Sequence, residues 1–235
     1  RDRPNKGLYN KNSSLKILKR LRKFSLKFSE AFPYKEKFLP ILTIPKVNRN
    51  KLLLKKIFIE FNFQNPKIFI VYLLRRAGME IKTVSISPKL EVKGAHDIIV
   101  RADMTFDTQT ISDAQWIILP GGLPGAKHLE EYAPLIEMLK KRAASGENIA
   151  AICAAPALVL GKNEILKGKR ATCYPGFEQF LTEATYTAQP VEIDGNIITG
   201  NGPASTIKFA AKIIENTLGK ETADSVLKGM MTENA

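Results

Sequence analysis

From Lys55 onward, short apolar runs alternate with amphipathic stretches. This is the pattern left by strands buried on both faces and joined by helices that turn one apolar stripe toward a sheet. Residues 57–63 read as the first strand, and Pro66 fits the first turn of a helix, where a missing N–H costs no hydrogen bond. That helix runs through Leu73 and Leu74 to Gly78 as its stop, and a strand over 81–86 follows. After a polar stretch containing His96 and Asp103, residues 115–119 form an apolar run that ends at Pro120-Gly121-Gly122, where glycine lets the chain turn sharply. Pro134 opens a helix with Leu135, Ile136 and Leu139 on one face, Lys140, Lys141 and Arg142 near its negative end, and Gly146 as a stop. Residues 149–152 then read as a central strand that delivers the chain directly to Cys153. Residues 169–174 predict a further strand with Cys173 inside it, and 191–193 with 196–199 a hairpin around Asp194-Gly195. A closing helix over 205–218 places Ile207, Ala211, Ile214 and Leu218 on one stripe and stops at Gly219. The sum is an α/β sandwich, a mostly parallel sheet with helices on both faces.

Charge changes this picture at one end only. Residues 1–60 hold 17 Lys and Arg against 4 Asp and Glu, which equals the whole net charge of +13. At 235 residues the chain suits one domain of ordinary size with an appendage, so a basic extension over 1–54 and an α/β domain over 55–235 are expected. The extension is rich in Lys, Asn, Phe, Ile and Leu and broken by Pro33, Pro40 and Pro45. It reads first as translated non-coding sequence, next as an organelle-targeting segment, and after those as a polyanion-binding arm or a solvated linker. It carries no recognised nucleic-acid motif, so no specific nucleic-acid partner is expected. No run approaches the roughly 20 apolar residues of a spanning helix, so a soluble protein without a membrane partner is expected. Two cysteines are too few for a disulfide framework and suit a reducing compartment. The cytoplasm is the simplest choice, or a mitochondrion or plastid if the basic segment is a transit peptide.

Cys153 is where chemistry concentrates. A residue that leaves a buried strand and at once begins a helix must take a tight turn, and Ala150, Ala151, Ala154 and Ala155 are small enough to permit it. The unpaired N–H groups at a helix start favour a thiolate, so Cys153 is predicted to be the more reactive thiol. Gly121 and Gly122 end a neighbouring strand at the same sheet edge, and backbone N–H groups of Gly122 and Ala154 would form an oxyanion hole. The plainer alternative is a small cysteine buried among alanines.

The stretch IILPGGLPGAKHLEEYAPLIEMLKKRAASGENIAAICAAPALVL, with the later ITGNGPASTIKFAAKIIENTLG, resembles the ThiJ/PfpI superfamily, most closely its parkinsonism-associated deglycase branch. The resemblance covers about Leu73 to Met231. It implies a flavodoxin-like sandwich, a homodimer, Cys153 as nucleophile and redox-sensing thiol, and an anion-binding hole at Gly121, Gly122 and Ala154. It also implies cofactor-free conversion of small aldehydes to hydroxy acids, repair of early glycation adducts, protection against oxidative stress and redox-dependent chaperoning. The distant peptidase branch places a His directly after its Cys, and this chain has Ala154 there.

The pattern breaks at one position. The family takes its proton-transfer carboxylate from a Glu twelve residues before the glycine that matches Gly78, and that count lands on Pro66. Glu60 is the nearest carboxylate in sequence, placed before the loop by strand alternation. His96, Tyr174 and Asn201 stand where better-known members place Arg, His and Arg near the pocket or dimer seam. Tyr174 could donate a hydrogen bond to a substrate oxygen or serve as a packing aromatic. His128 is expected to be exposed or to cap a helix, and Cys173 to be inert core. Two isolated histidines and no clustered ligands predict no metal site. The enzymatic reading is a glyoxalase or deglycase; the alternative is a non-enzymatic redox sensor or holdase that lost its catalytic Glu.

Overall fold

A strand with no polar face has to be covered on both sides, and that requirement explains the layers seen here. The computed structural model describes residues 57–60, 66–94 and 98–232. The basic extension over 1–54, its boundary and His96 therefore lie outside the described residues. In chain order come β1 (Ile57–Glu60), α1 (Pro66–Arg76), β2 (Ile81–Ser85), β3 (Glu91–Lys93), β4 (Ile99–Arg101), β5 (Met104–Thr105) and a short α2 (Thr108–Ile111). They are followed by β6 (Trp116–Leu119), α3 (Gly125–Glu131), α4 (Ala133–Ala144) and β7 (Asn148–Ile152). A π-helical turn (Pro156–Gly161) leads to β8 (Arg170–Ala171), β9 (Thr185–Tyr186), β10 (Val191–Asp194), β11 (Ile197–Gly200), α5 (Thr206–Leu218) and α6 (Lys220–Lys228).

Among the described residues, seven strands form one sheet in the order β10-β11-β7-β6-β1-β2-β5. Only β10, the outer arm of the predicted hairpin, runs antiparallel to its neighbour. The chain winds from β1 outward to β2 and β5, then crosses to the other side of β1 for β6 and β7. Such a reversal opens a crevice at the C-terminal ends of the strands, where ligands of open α/β sheets bind. Alternation along β6 and β7 splits the core. Ile117, Leu119, Ile149 and Ala151 pack with α4 and the π-turn, whereas Trp116, Ile118, Ala150 and Ile152 pack with α1, α5 and α6.

Three predicted elements differ in detail. The strand expected over 169–174 is only Arg170–Ala171, paired with β9. The amides beyond it have other acceptors: Thr172 donates to Thr199 Oγ1 at 3.0 Å and Tyr174 to the carbonyl of Cys153 at 2.8 Å. The last long helix forms as expected, but it buries Thr206, Phe209, Ala210, Ile213 and Ile214, while Leu218 is exposed. Its apolar stripe is rotated from the one read in sequence because Phe209 and Ile213 fill the sheet side and Thr217 accepts a 2.9 Å bond from Trp116 Nε1. The segment after Cys153 is a short π-helical turn rather than an ordinary helix.

Candidate active site

β7 carries Ile149, Ala150, Ala151 and Ile152, all buried, to the sheet edge. There the backbone of Cys153 turns to φ 67°, the left-handed region that costs a non-glycine residue about 1–2 kcal/mol. Its N–H still continues the sheet by donating to the carbonyl of Gly200 at 2.9 Å. The turn therefore starts only at the side chain, which is half-buried and packs against Ala154, Ala126 and Leu158. A strained cysteine at the end of a central strand, with small residues around it, has the form of a nucleophile elbow.

Gly121 is what makes room for that elbow. A Cβ at Gly121 would lie 2.6 Å from the Cβ of Cys153, 2.6 Å from the amide nitrogen of Ala154 and 2.6 Å from the carbonyl oxygen of Ile152. No side chain fits there, so the turn after β6 presses backbone to backbone on the turn after β7. Gly122 follows at φ 94°, again a conformation that favours glycine. The amides of Gly122 and Ala154 donate to no protein acceptor among the described residues. Two N–H groups on abutting turns beside one thiol are the raw material of an oxyanion site.

The loop from Tyr174 to Phe180 is joined to the elbow. Tyr174 is tied by its amide to Cys153, and its ring stands 6.3 Å from that of Phe177 at 73°; Phe177 in turn lies 6.2 Å from Phe180. Phe177 and Phe180 both pack on the alanine cluster under Cys153. Neither stands out in the sequence, because a single i,i+3 pair around the 3-10 turn of residues 178–180 is too short to predict an element; the Pro175-Gly176 turn before them is the available signal. Glu178 caps the same loop by accepting the Gly176 N–H at 2.9 Å with each carboxylate oxygen, which holds its carboxyl below the usual range.

The second thiol behaves differently. Cys173 is fully buried, and burial first, then the charges of Glu178 and Cys153, push its pKa up to about 12. No disulfide joins the two cysteines. Cys173 lies just past β8 rather than inside a strand, and it packs in the α4 side of the core.

The remaining candidates are scattered. Asn201 follows β11 and accepts a 2.5 Å bond from the Ser205 hydroxyl, which fixes its side chain to the chain's own turn. His128 is exposed in the last turn of α3. Pro66 opens α1, as the sequence indicated, and the side chain of Glu60 at the end of β1 lies outside the described residues. Among the described residues no three His, Cys, Asp or Glu side chains converge as metal ligands.

Comparison with known proteins matches this geometry to one family. Residues 62–216 match the sequence profile of the DJ-1/PfpI family. The chain is 41% identical over 160 residues to the Arabidopsis thaliana protein named DJ-1 homolog B, and 34% identical over 160 residues to dj-1beta of Drosophila melanogaster. Those alignments cover 68% and 67% of this chain, with 36% of the plant protein and 85% of the fly protein. The chain thus spans well under half the length of its plant relative. Among solved structures, oxidized DJ-1 of Toxoplasma gondii superposes with a TM-score of 0.70 at 32% identity, covering 75% of this chain and 98% of that one. Drosophila DJ-1beta superposes with the same TM-score at 31% identity, covering 75% and 97%.

Proposed function

The chain belongs to the DJ-1/PfpI family, and from that premise we propose that it is a cysteine-dependent, cofactor-free glyoxalase or deglycase acting on small reactive aldehydes or early glycation adducts. The observation that carries this reading is the elbow: Cys153 at φ 67° with Gly121 in contact, and alongside it the Gly122 and Ala154 amides, which donate to no protein acceptor among the described residues. For a 2-oxoaldehyde, the Cys153 thiolate adds to the aldehyde carbon and the C=O electron pair moves to oxygen, where the Gly122 and Ala154 amides would receive it. The hydrogen on that carbon then passes as a proton to the neighbouring carbonyl carbon through an enediol, leaving a thioester of a 2-hydroxy acid. Water cleaves the thioester, releasing the hydroxy acid and returning the thiol. The sum is substrate plus water to hydroxy acid, with no net oxidation and no cofactor required. The test is consumption of methylglyoxal by the purified chain against a Cys153→Ala control. Equal rates would end the enzymatic reading.

A second reading has one specific observation in its favour. Pro66, which cannot carry a proton, starts α1 where the resemblance places the proton-transferring Glu. A chain without that group would keep a reactive thiol and lose turnover, acting as a redox sensor or holdase whose Cys153 is oxidised to sulfinic acid. Peptide mass spectrometry after mild peroxide checks this, and oxidised methionines beside an unmodified Cys153 would rule it out. Both readings carry a homodimer and a cytoplasmic site of action, or an organellar one if residues 1–54 act as a transit peptide.

A further inference from the structure

The aldehyde reading leaves open which group the substrate carries beyond its carbonyl, and the surroundings of Cys153 address it. The wall begins at the nucleophile itself, since the Tyr174 amide bonds the Cys153 carbonyl at 2.8 Å. The Tyr174, Phe177 and Phe180 rings then follow one another at 6.3 and 6.2 Å, the first pair edge to face and the second tilted, within the range at which aromatic rings attract. Phe177 and Phe180 pack on the same small cluster of Ala126, Ala154 and Leu158 as Cys153, so the ladder shares the cysteine's immediate surroundings. Gly202 supports this arrangement. Its backbone is extended, at φ 168°, so no conformational rule demands glycine, but a Cβ there would stand 3.3 Å from Cδ2 of Tyr174. Glycine at 202 leaves space for the ring. In the glycine turn that meets the elbow, two residues past Gly121, Leu123 is 52% exposed, and Tyr174 is 44% exposed. Large apolar side chains this open, on the two segments that meet the Cys153 backbone, form an apolar collar with unsatisfied surface.

We propose that this collar makes the site selective for aldehydes whose carbonyl carries an aromatic or bulky apolar group, with Tyr174 and Phe177 as the specificity-determining side chains. The inference rests on the aldehyde chemistry proposed above for Cys153. A phenyl group against Phe177 gains an edge-to-face contact and buries apolar area that a methyl group cannot, so phenylglyoxal is favoured over methylglyoxal by about tenfold in kcat/KM.

The experiment measures kcat/KM for phenylglyoxal and methylglyoxal with the full chain and with Phe177→Ala, Phe177→Leu and Tyr174→Ala. A tenfold ratio in the wild type that collapses toward one in both alanine variants, and falls partway in Phe177→Leu, is the expected result. A wild-type ratio near one, or a ratio that survives Phe177→Ala, overturns the proposal. A parallel measurement needs neither turnover nor a variant. The rates of Cys153 alkylation by phenacyl chloride and by chloroacetone are compared, each divided by its rate with glutathione. If neither glyoxal is consumed yet Cys153 prefers the aryl reagent about tenfold, the collar stands and the glyoxalase reading falls. If the normalised alkylation rates are equal, the collar falls whatever the turnover.

Discussion

Gly121 shows how much a single hydrogen can decide. Its missing side chain lets two turns meet at backbone contact, so Gly121→Ala must push the Cys153 elbow aside. The expected cost is about 1–3 kcal/mol of stability, the range for overpacking a filled site, together with loss of any Cys153-dependent activity. Urea unfolding and methylglyoxal assay of the same preparation check both. Cys173 gives a second prediction, through linkage. Its folded pKa is raised by burial to about 12, whereas in the unfolded chain the thiol ionises at about 8.5. The stabilisation is therefore complete below the unfolded value and is lost as the pH rises from there toward the folded one. Urea midpoints measured from pH 7 to 10 should fall more steeply for the wild type than for Cys173→Ala. In the same pH range, iodoacetamide should leave Cys173 of the folded protein unmodified.

Among the elements, α4 is anchored by a residue that the sequence marked only as one of three cations near the helix's negative end. Arg142 sits in the helix's last turn, where a cation suits the dipole, yet it is only 3% exposed. Its Nη2 donates to the carbonyl of Ala114 at 2.8 Å and, at 3.4 Å each, to those of Gln115 and Asn148, while Nη1 meets Glu147 at 2.7 Å. One guanidinium thus ties the C-terminus of α4 to the entry points of β6 and β7, the two strands that end at Gly121 and Cys153. Burial pulls its pKa down, and the Glu147 carboxylate partly offsets that. Arg142→Met keeps the apolar stem but leaves buried carbonyls without a donor, so a loss of about 2–4 kcal/mol is expected. A thermal melt reads it, at roughly 2–4 °C per kcal/mol for a domain of this size. Arg142→Lys should recover only part, because one ammonium cannot span three carbonyls and a carboxylate.

At the scale of the whole molecule, α1 presents Ile68 and Tyr72 to solvent at 47% and 46% exposure, one helical turn apart. An apolar pair on the outside of a covering helix is a natural seam for the proposed homodimer. Tyr72→Glu should shift the chain from dimer to monomer by light scattering. A wild type that elutes as a monomer at micromolar concentration would remove the homodimer from both functional readings.

The sequence by itself determined the strands buried on both faces, the helix starts at Pro66 and Pro134 and the glycine turn facing a cysteine, because each is a local matter of period, proline or glycine. It also carried the family resemblance, since the PGG and AAICAAPA segments are contiguous in the chain. Only the tertiary structure decided which face of α5 is buried, that Arg142 is a clasp, and that the loop from Tyr174 to Phe180 lies against Cys153. Each depends on at least one partner more than 20 residues away, and a side chain's burial is set by what packs on it rather than by its neighbours in sequence.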